Sequence, residues 1–406
     1  VAGAVLYDPA FTGNPLVFTA CIGVAQEAPA AIAPEPANGH PYTPLAAAAP
    51  APLRTAHHTP VDYSPSDTLI DLLAQPTIAS KESVIRRFNH EHGGATLVRP
   101  LVGKAGDAHA DGVVIAAPTD QHGIAIGIGV NPWFALLDPE RMAHACVDEA
   151  IRNVVAVGAD PDKIAMLSNF SWGDPHRPHT FGELVMAVRG CCDAAERHRA
   201  PIVSNSNSLD DEHLASNGRL TAAPATLAIT AIAHVPDVER VCTPQLTHPG
   251  NVLVHVGHVA NEFGGSHFAM VHSIPLASSG VVPAPDHHAP VRYRRIHEAI
   301  AAGTIRACHD ISEGGLAVAI AEMCIAGRLG ASIEQFPHPD STVALFSEST
   351  GRFVCEVSPT ALSSFLELMG GDATVLGHVT ATRVLTMPGV SLRVDELVTA
   401  FRGGHR

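Results

Sequence analysis

The sequence predicts two successive domains, an α+β domain over residues 68–240 and a layered α/β domain over residues 241–402. Three observations carry this reading. The chain has 406 residues, 46% of them hydrophobic and 16% charged, which is globular composition at a length beyond the roughly 250–300 residues that one core sustains. Between 68 and 240, apolar runs with strand patterning surround two long stretches of helical periodicity. From 241 onward, helices and short strands alternate, the pattern of a sheet covered by helices.

Taken in order, residues 1–25 contain a strand-like run, Asn14-Pro15-Leu16-Val17-Phe18, and residues 26–67 turn to Ala and Pro without periodicity, which reads as linker. Gly112-Val113-Val114-Ile115 and Gly123-Ile124-Ala125-Ile126 read as strands. Asp138 to Val157 is a helix, Lys163 to Leu167 a strand, Thr180 to Arg199 a second helix, and Pro201-Ile202-Val203 opens another strand. Thr226 to Ile232 closes the first domain as a β run. The second begins with Val252 to Val256, and helices near 291–302, 315–326 and 359–369 alternate with strands near 305–308, 352–357 and 374–376.

Composition excludes several functions. The 25 Lys and Arg against 40 Asp and Glu leave a net charge of −15, unsuited to nucleic acid or to an anionic membrane surface. Only Lys81, Lys104 and Lys163 are lysines, which confines lysine-based phosphate chemistry to three places. The 25 His are scattered without an HExxH, and His90-Glu91-His92 fits no zinc spacing. The eight Cys include no CxxC and mostly sit in apolar runs, as buried thiols of a reducing compartment do. The apolar stretch from Gly123 to Leu137 is broken by Asn131 and Pro132, and no basic segment precedes an apolar one at the start, so a cytoplasmic protein without membrane spans is expected. The first residue, Val1, reads as an interruption of a longer chain.

Chemistry concentrates in a few places. In His309-Asp310-Ile311-Ser312-Glu313-Gly314-Gly315-Leu316 a strand ends, carboxylates and a hydroxyl follow, and two glycines open a helix. Ser312 is placed to cap that helix, whose amides and dipole favour an anion, and Asp310 to hold a cation against it; the same pattern also serves an ordinary capped helix. Met142, Cys146, Glu149 and Asn153 form one helical stripe. Glu149 and Asn153 are oxygen donors one turn apart, suited to Mg²⁺ or to a helix rim. Asp111, heading a strand after Ala110, can add a carboxylate or be a routine strand-edge residue. Gly264-Gly265-Ser266 offers a second phosphate cradle or a plain turn into a helix. No GxSxG and no glycine-flanked cysteine nucleophile occurs, so any ammonia is made by another chain.

Together these stretches resemble the second half of the phosphoribosylformylglycinamidine synthase family, including its long bacterial form. Asn131-Pro132, Leu137-Asp138-Pro139, Asp148 to Asn153 with Val157-Gly158-Ala159, and Asn169-Phe170-Ser171-Trp172-Gly173-Asp174 carry the likeness. So do Gly264-Gly265-Ser266-His267, the segment from His309 to Leu316, and Leu345-Phe346-Ser347-Glu348-Ser349. The resemblance, from about Leu69 to Ala400, implies one half of a tandem synthase, with an N-terminal α+β domain whose sheet pairs with a counterpart and an α/β domain behind it. It implies ATP-dependent conversion of formylglycinamide ribonucleotide to its amidine, with ammonia from a glutaminase subunit. It further implies an auxiliary site for Mg²⁺ with ATP or ADP. By motif, Asp111, Glu149, Asn153 and Asp310 stand where the family has metal ligands. Ala110, Asp111, Gly264, Gly265, Asp310 and Ser312 stand at the nucleotide, and Ser208 at the substrate.

The chain also departs from the family. Residues 1–25 resemble the tail of the first half's α+β domain, yet the α/β domain that should follow is absent, as is a Glu-Ser-His-Asn-His-Pro motif. In Ser204-Asn205-Ser206-Asn207-Ser208, Asn205 replaces a glycine and Ser206 a Lys or Asn, and Ser168 replaces an Asp. An incomplete synthase that retains its nucleotide site is the leading expectation. The alternatives are a non-catalytic nucleotide-binding scaffold and a stand-alone homodimeric relative such as aminoimidazole ribonucleotide synthase or a thiamine phosphate kinase. A half-enzyme that exposes its pairing sheet is expected to seek a second copy or a first-half chain.

Overall fold

The computed structural model describes residues 47–48, 63–87, 91, 93–117, 121–214, 218 and 220–403. The strand expected at 14–18, most of the linker, and His90 and His92 lie outside these residues.

The first domain is a six-stranded sheet in the spatial order Thr96–Val98, Gly112–Ala116, Gly123–Val130, Thr226–Val235, Ile164–Ser171, Ile202–Ser208. All neighbours are antiparallel except the last pair, which is parallel and joined through the helix Pro178–His198. Among the described residues Ile202–Ser208 therefore forms an edge with no strand on its outer side, and six of its seven residues are exposed. The helix Pro139–Ala156 starts at Asp138, whose side chain accepts from the Arg141 amide, with Pro139 at the first helical position. It lies directly on the sheet because the strand beneath presents no side chains there. A Cβ on Gly129 would lie 2.0 Å from the Cys146 carbonyl oxygen, and one on Gly127 2.8 Å from that of Ala150. The alternate residues Ile124, Ile126 and Ile128 point to the other face, where they pair with His234, Ile232 and Thr230 and stay only half-buried. That face is apolar and uncovered by any described element of the chain.

The second domain is a seven-stranded sheet ordered Ile305–Asp310, Phe353–Val357, Val252–Val256, Ala373–Thr380, Gly330–Ile333, Val384–Met387, Val390–Arg393. Its one parallel pairing joins Gly330–Ile333 to Val384–Met387. On one face, Tyr293, Ile296 and Ile300 of the helix Ala289–Ala301, with Phe365 and Met369, belong to a core continuous with that of the first domain. On the other, the helix Gly315–Gly327 is apolar on every side except at Glu322 and almost wholly buried, the signature of a core helix. The α+β followed by layered α/β architecture is thus the one the sequence predicts.

One helix that precedes the first domain in sequence packs with the second. The helix Pro65–Leu73 begins inside the segment read as linker, and its Leu69, Leu72 and Leu73 pack with Leu316, Phe346 and Phe401 in the second domain's core. Residues 65–79 belong by packing to the second domain, although they precede the first. Sequence order hid this, since a short apolar helix does not reveal which core receives it.

Gly129→Ala is expected to lower unfolding stability by more than the roughly 1–3 kcal/mol typical of overpacking, because backbone and not a side-chain tip blocks the new methyl. Urea unfolding midpoints of wild type and variant measure it.

Candidate functional site

A polar stripe along the helix Pro139–Ala156 leads, at its C-terminal end, into a chain of buried charges between the two domains. Glu140, His144, Asp148 and Arg152 recur every four residues along the helix Pro139–Ala156 and so share one stripe. Asp148 pairs with Arg152, accepts from the Tyr293 hydroxyl, and accepts from the Gly351 amide at 3.0 Å. The Nε of Arg152 in turn donates to Oδ2 of Asp310 at 3.1 Å, and its Nη2 to Ser312 Oγ at 3.3 Å. Burial opposes the Arg152 charge, but Asp148 and Asp310 outweigh it and hold the guanidinium charged. Burial likewise opposes ionised Asp310, yet Arg152 and His309 keep its carboxyl below the usual range. Asp148 and Arg152 come from the first domain, Tyr293, Asp310 and Gly351 from the second, so the network fixes how the domains meet.

Asp310 lies beside His309 and Asp111, and one ligand atom from each of the three lies within 4.8 Å of the others. The Asp111 carboxylate contacts His309 Nδ1 at 2.5 Å, and His309 Nε2 lies 3.1 Å from Glu322. Burial works against a charged His309, but the flanking carboxylates of Asp111 and Glu322 outweigh it and raise its pKa well above the ordinary imidazole value. Burial also pushes the Asp111 carboxyl up to about 6 despite the pull of His309. Two carboxylates flank the ring, so the imidazolium is the form the geometry favours.

On the helix above, Glu149 accepts from the Val130 amide at 3.1 Å and from Asn131 Nδ2 at 2.7 Å. Its carboxyl is raised well above the usual range by burial and by repulsion from Glu313 and Asp310. Asn153 donates to the Ile128 carbonyl at 2.8 Å. Two oxygens are left over, since Asn153 Oδ1 and Asp111 Oδ2 are buried without a hydrogen-bond partner. Buried, unsatisfied acceptors among mutually repelling carboxylates are the environment that a hard divalent cation relieves. The Asp111 and Asp310 carboxylates and the Asn153 oxygen are thus of the donor type that suits Mg²⁺, whereas Glu149 is not among the residues whose ligand atoms gather within 4.8 Å there.

The Ser312 expectation needs correcting. The helix after it runs Gly315–Gly327, is capped by Gly314 in the left-handed region and has no side-chain cap. Ser312 Oγ instead donates to Asp310 Oδ2 at 2.6 Å. The anion at that helix start is internal, for Glu348 Oε1 accepts from the amides of Gly314 and His267, each at 2.8 Å. The amides of Gly264 and Gly265 are also occupied, by the Val281 carbonyl at 2.9 Å and Ser279 Oγ at 3.4 Å. Gly265 has φ +75°, and a Cβ there would lie 2.9 Å from the Trp133 carbonyl oxygen, so close backbone approach accounts for this glycine. Ala110 donates to the Pro100 carbonyl and sits next to Asp111. Ser208 lies on the exposed edge strand, where its hydroxyl donates to Asp211 at 2.6 Å. Neither Ser208 nor the two glycines hydrogen-bond with the Asp111, Glu149, Asn153 and Asp310 group.

Sequence reasoning missed Asp148, Arg152, His309, Glu322 and Lys81. The four-residue spacing of Asp148 and Arg152 was a signal for the first pair. Lys81 is buried, donates to the carbonyls of Thr77 and Ala79, and has its pKa lowered to about 8 by burial against the attraction of Glu322 and Glu313. Nothing local in its sequence announces that.

The two-domain order, with a carboxylate cluster where the domains meet, defines a class of proteins. The AIR synthase related N-terminal domain family matches residues 109–233 and its C-terminal domain family residues 248–388, and the chain belongs to this superfamily. Within it, the chain is 33% identical over 309 residues to the phosphoribosylformylglycinamidine synthase subunit PurL of Gloeobacter violaceus, covering 74% of this chain and 39% of that one. Among solved structures, T. maritima PurL complexed with FGAR aligns with a TM-score of 0.63 at 18% identity over 82% of this chain and 52% of that one. T. maritima PurL complexed with ADP aligns at 0.59 and 18% over 81% and 51%. The chain spans less than half of the curated relative's length and about half of the structural one's.

Asp148→Ala is expected to cost about 3–5 kcal/mol, the range for breaking a buried ion pair from one side, read from equilibrium urea unfolding. For His309, the raised folded pKa means that its contribution is complete below the unfolded value of about 6.5 and is lost as pH rises through the folded value. His309→Gln should therefore lose less stability than wild type when unfolding is compared at about pH 6 and about pH 9.

Proposed function

We propose that the chain is the nucleotide-binding second half of an ATP-dependent formylglycinamidine ribonucleotide synthase, and that it binds Mg-ADP or Mg-ATP between its two domains. The observation that carries this reading is the meeting of Asp111 and Asp310, from different domains, with Asp111 Oδ2 and Asn153 Oδ1 buried and unsatisfied. Asp111, Glu149, Asn153 and Asp310 would hold the ion, and a bound Mg²⁺ would supply positive charge against the diphosphate. Arg152 and Ser312 hold the Asp310 carboxylate in orientation, and His309 does the same for Asp111. Ala110, Ser312, Gly264 and Gly265 would border the nucleotide, and the two glycines also let their loop pass close to Val281 and Val282 (Gly264) and to Trp133 (Gly265). In the whole synthase, ATP would phosphorylate the formyl amide oxygen and ammonia from a glutaminase subunit would displace phosphate. Ser208 would contact the ribonucleotide. The apolar face around Ile124, Ile126 and Ile232 would take a second sheet, from another copy or from a first-half chain. The reading places the chain in the cytoplasm, and no helix among the described residues is long and apolar enough to cross a membrane.

A second reading, a nucleotide-binding scaffold without turnover, is favoured by the substrate-side strand, whose residues 203–208 are all exposed and which carries Asn205 and Ser206.

Isothermal titration of the full chain with Mg-ADP is expected to show one site, and Asp111→Asn to weaken it at least about tenfold, the scale on which loss of metal-site groups acts. Heat-silent wild type in a folded sample would sink both readings.

A further inference from the structure

Upstream of Asp148, the polar stripe of the helix Pro139–Ala156 continues through His144 and Glu140. There it faces the helix Pro178–His198, not the second domain. The two helices touch through backbone at this level, since a Cβ on Gly190 would lie 2.1 Å from the Glu140 carbonyl oxygen. One turn beyond Gly190, Asp193 comes alongside Glu140 and His144, and one ligand atom from each of the three lies within 4.8 Å of the other two.

Elsewhere along the stripe every charge is matched. Asp148 and Arg152 pair with each other, and His198 Nε2 lies 3.9 Å from Asp148. At this end nothing is matched. His144 is only 7% exposed, its Nδ1 is buried without a hydrogen-bond partner, and no ion pair joins it to either carboxylate. A nitrogen and two carboxylate oxygens lie within 4.8 Å of one another without bonding, close enough that small rotations of the solvent-facing Glu140 and Asp193 side chains bring all three onto one ion. Burial, aided by Arg197, lowers the imidazole pKa to about 4, so at neutral pH the ring is the free base that a metal requires.

We infer that Glu140, His144 and Asp193 form a second cation site, separate from the carboxylate cluster between the domains, for a borderline divalent transition metal such as Zn²⁺. One nitrogen and two oxygen donors suit that class and distinguish it from the all-oxygen preference of Mg²⁺. The half-exposed Glu140 and exposed Asp193 leave room for water to complete the coordination. Such an ion would tie together the two helices that back the first sheet, one of which carries Asp148, Glu149, Arg152 and Asn153.

The test is titration of the full 406-residue chain with Zn²⁺ by equilibrium dialysis, comparing His144→Ala, Asp193→Asn and, as a control at an unrelated surface histidine, His176→Ala. Asp193 is exposed, so its variant keeps the test valid should the His144 change disturb folding, and circular dichroism checks both. The expected result is the loss of one tight equivalent, at least about tenfold in affinity, in the first two variants and not in the third. None of the three substitutions touches the carboxylate cluster between the domains, so any Zn²⁺ bound there is common to all four proteins and only the difference reads this site. Equal stoichiometry and affinity in all four proteins would overturn the inference, as would a wild type that binds no Zn²⁺ tightly.

Discussion

The Asp148–Arg152–Asp310 relay decides the geometry of everything around it. Three charged groups are buried where two domains meet, and each is tolerated only because the next one compensates it. An arrangement of this kind has little latitude, since a small rotation of one domain would strand a charge in an apolar setting. The cluster at Asp111 inherits that rigidity, because Asp310 is oriented by Arg152 before any ligand arrives. The interface is polar at its centre, but the apolar core runs without a break from the first sheet through Tyr293 and Ile296 to the second. Packing brings the domains together and the ion relay sets their register.

Glycine has an architectural part in the same outcome. The strand Gly123–Val130 turns small residues to the helix and isoleucines away from it, the reverse of a sheet whose bulky residues make the core. The helix thereby comes close enough for Glu149 to accept from the Val130 amide and for Asn153 to reach the Ile128 carbonyl. The candidate ligands are thus oriented by bonds to the strand they lie on. Each of them keeps at least one oxygen turned elsewhere or is charged enough to need a partner.

Much of this was legible in the residues and some was not. The helix Pro139–Ala156 was announced by Asp138 and Pro139, and its buried stripe by the spacing of Met142, Cys146, Glu149 and Asn153. Val252–Val256 was found at its observed bounds because a short apolar run flanked by turns has few other uses. The meeting of Asp111 and Asp310 followed from the family resemblance, since no local pattern links positions 199 residues apart. The Ser312 cap failed because a nearby carboxylate is a better acceptor for a hydroxyl than the hydroxyl is for an amide, and Glu348, 34 residues onward, already served the Gly314 amide. Long-range partners of this sort leave no trace in spacing. The same holds for the helix Pro65–Leu73, whose leucines fit either core equally well as a pattern.

Among the described residues, the strand Ile202–Ser208 ends the first sheet with no strand on its outer side, and it carries neither proline nor lysine nor any other charge to discourage a neighbour. Such a border is a template: in concentrated solution, a stray extended segment can dock on it and extend the sheet, and the product offers a fresh border of its own. The rim of the isolated polypeptide is therefore a place where growth can start while both cores remain intact.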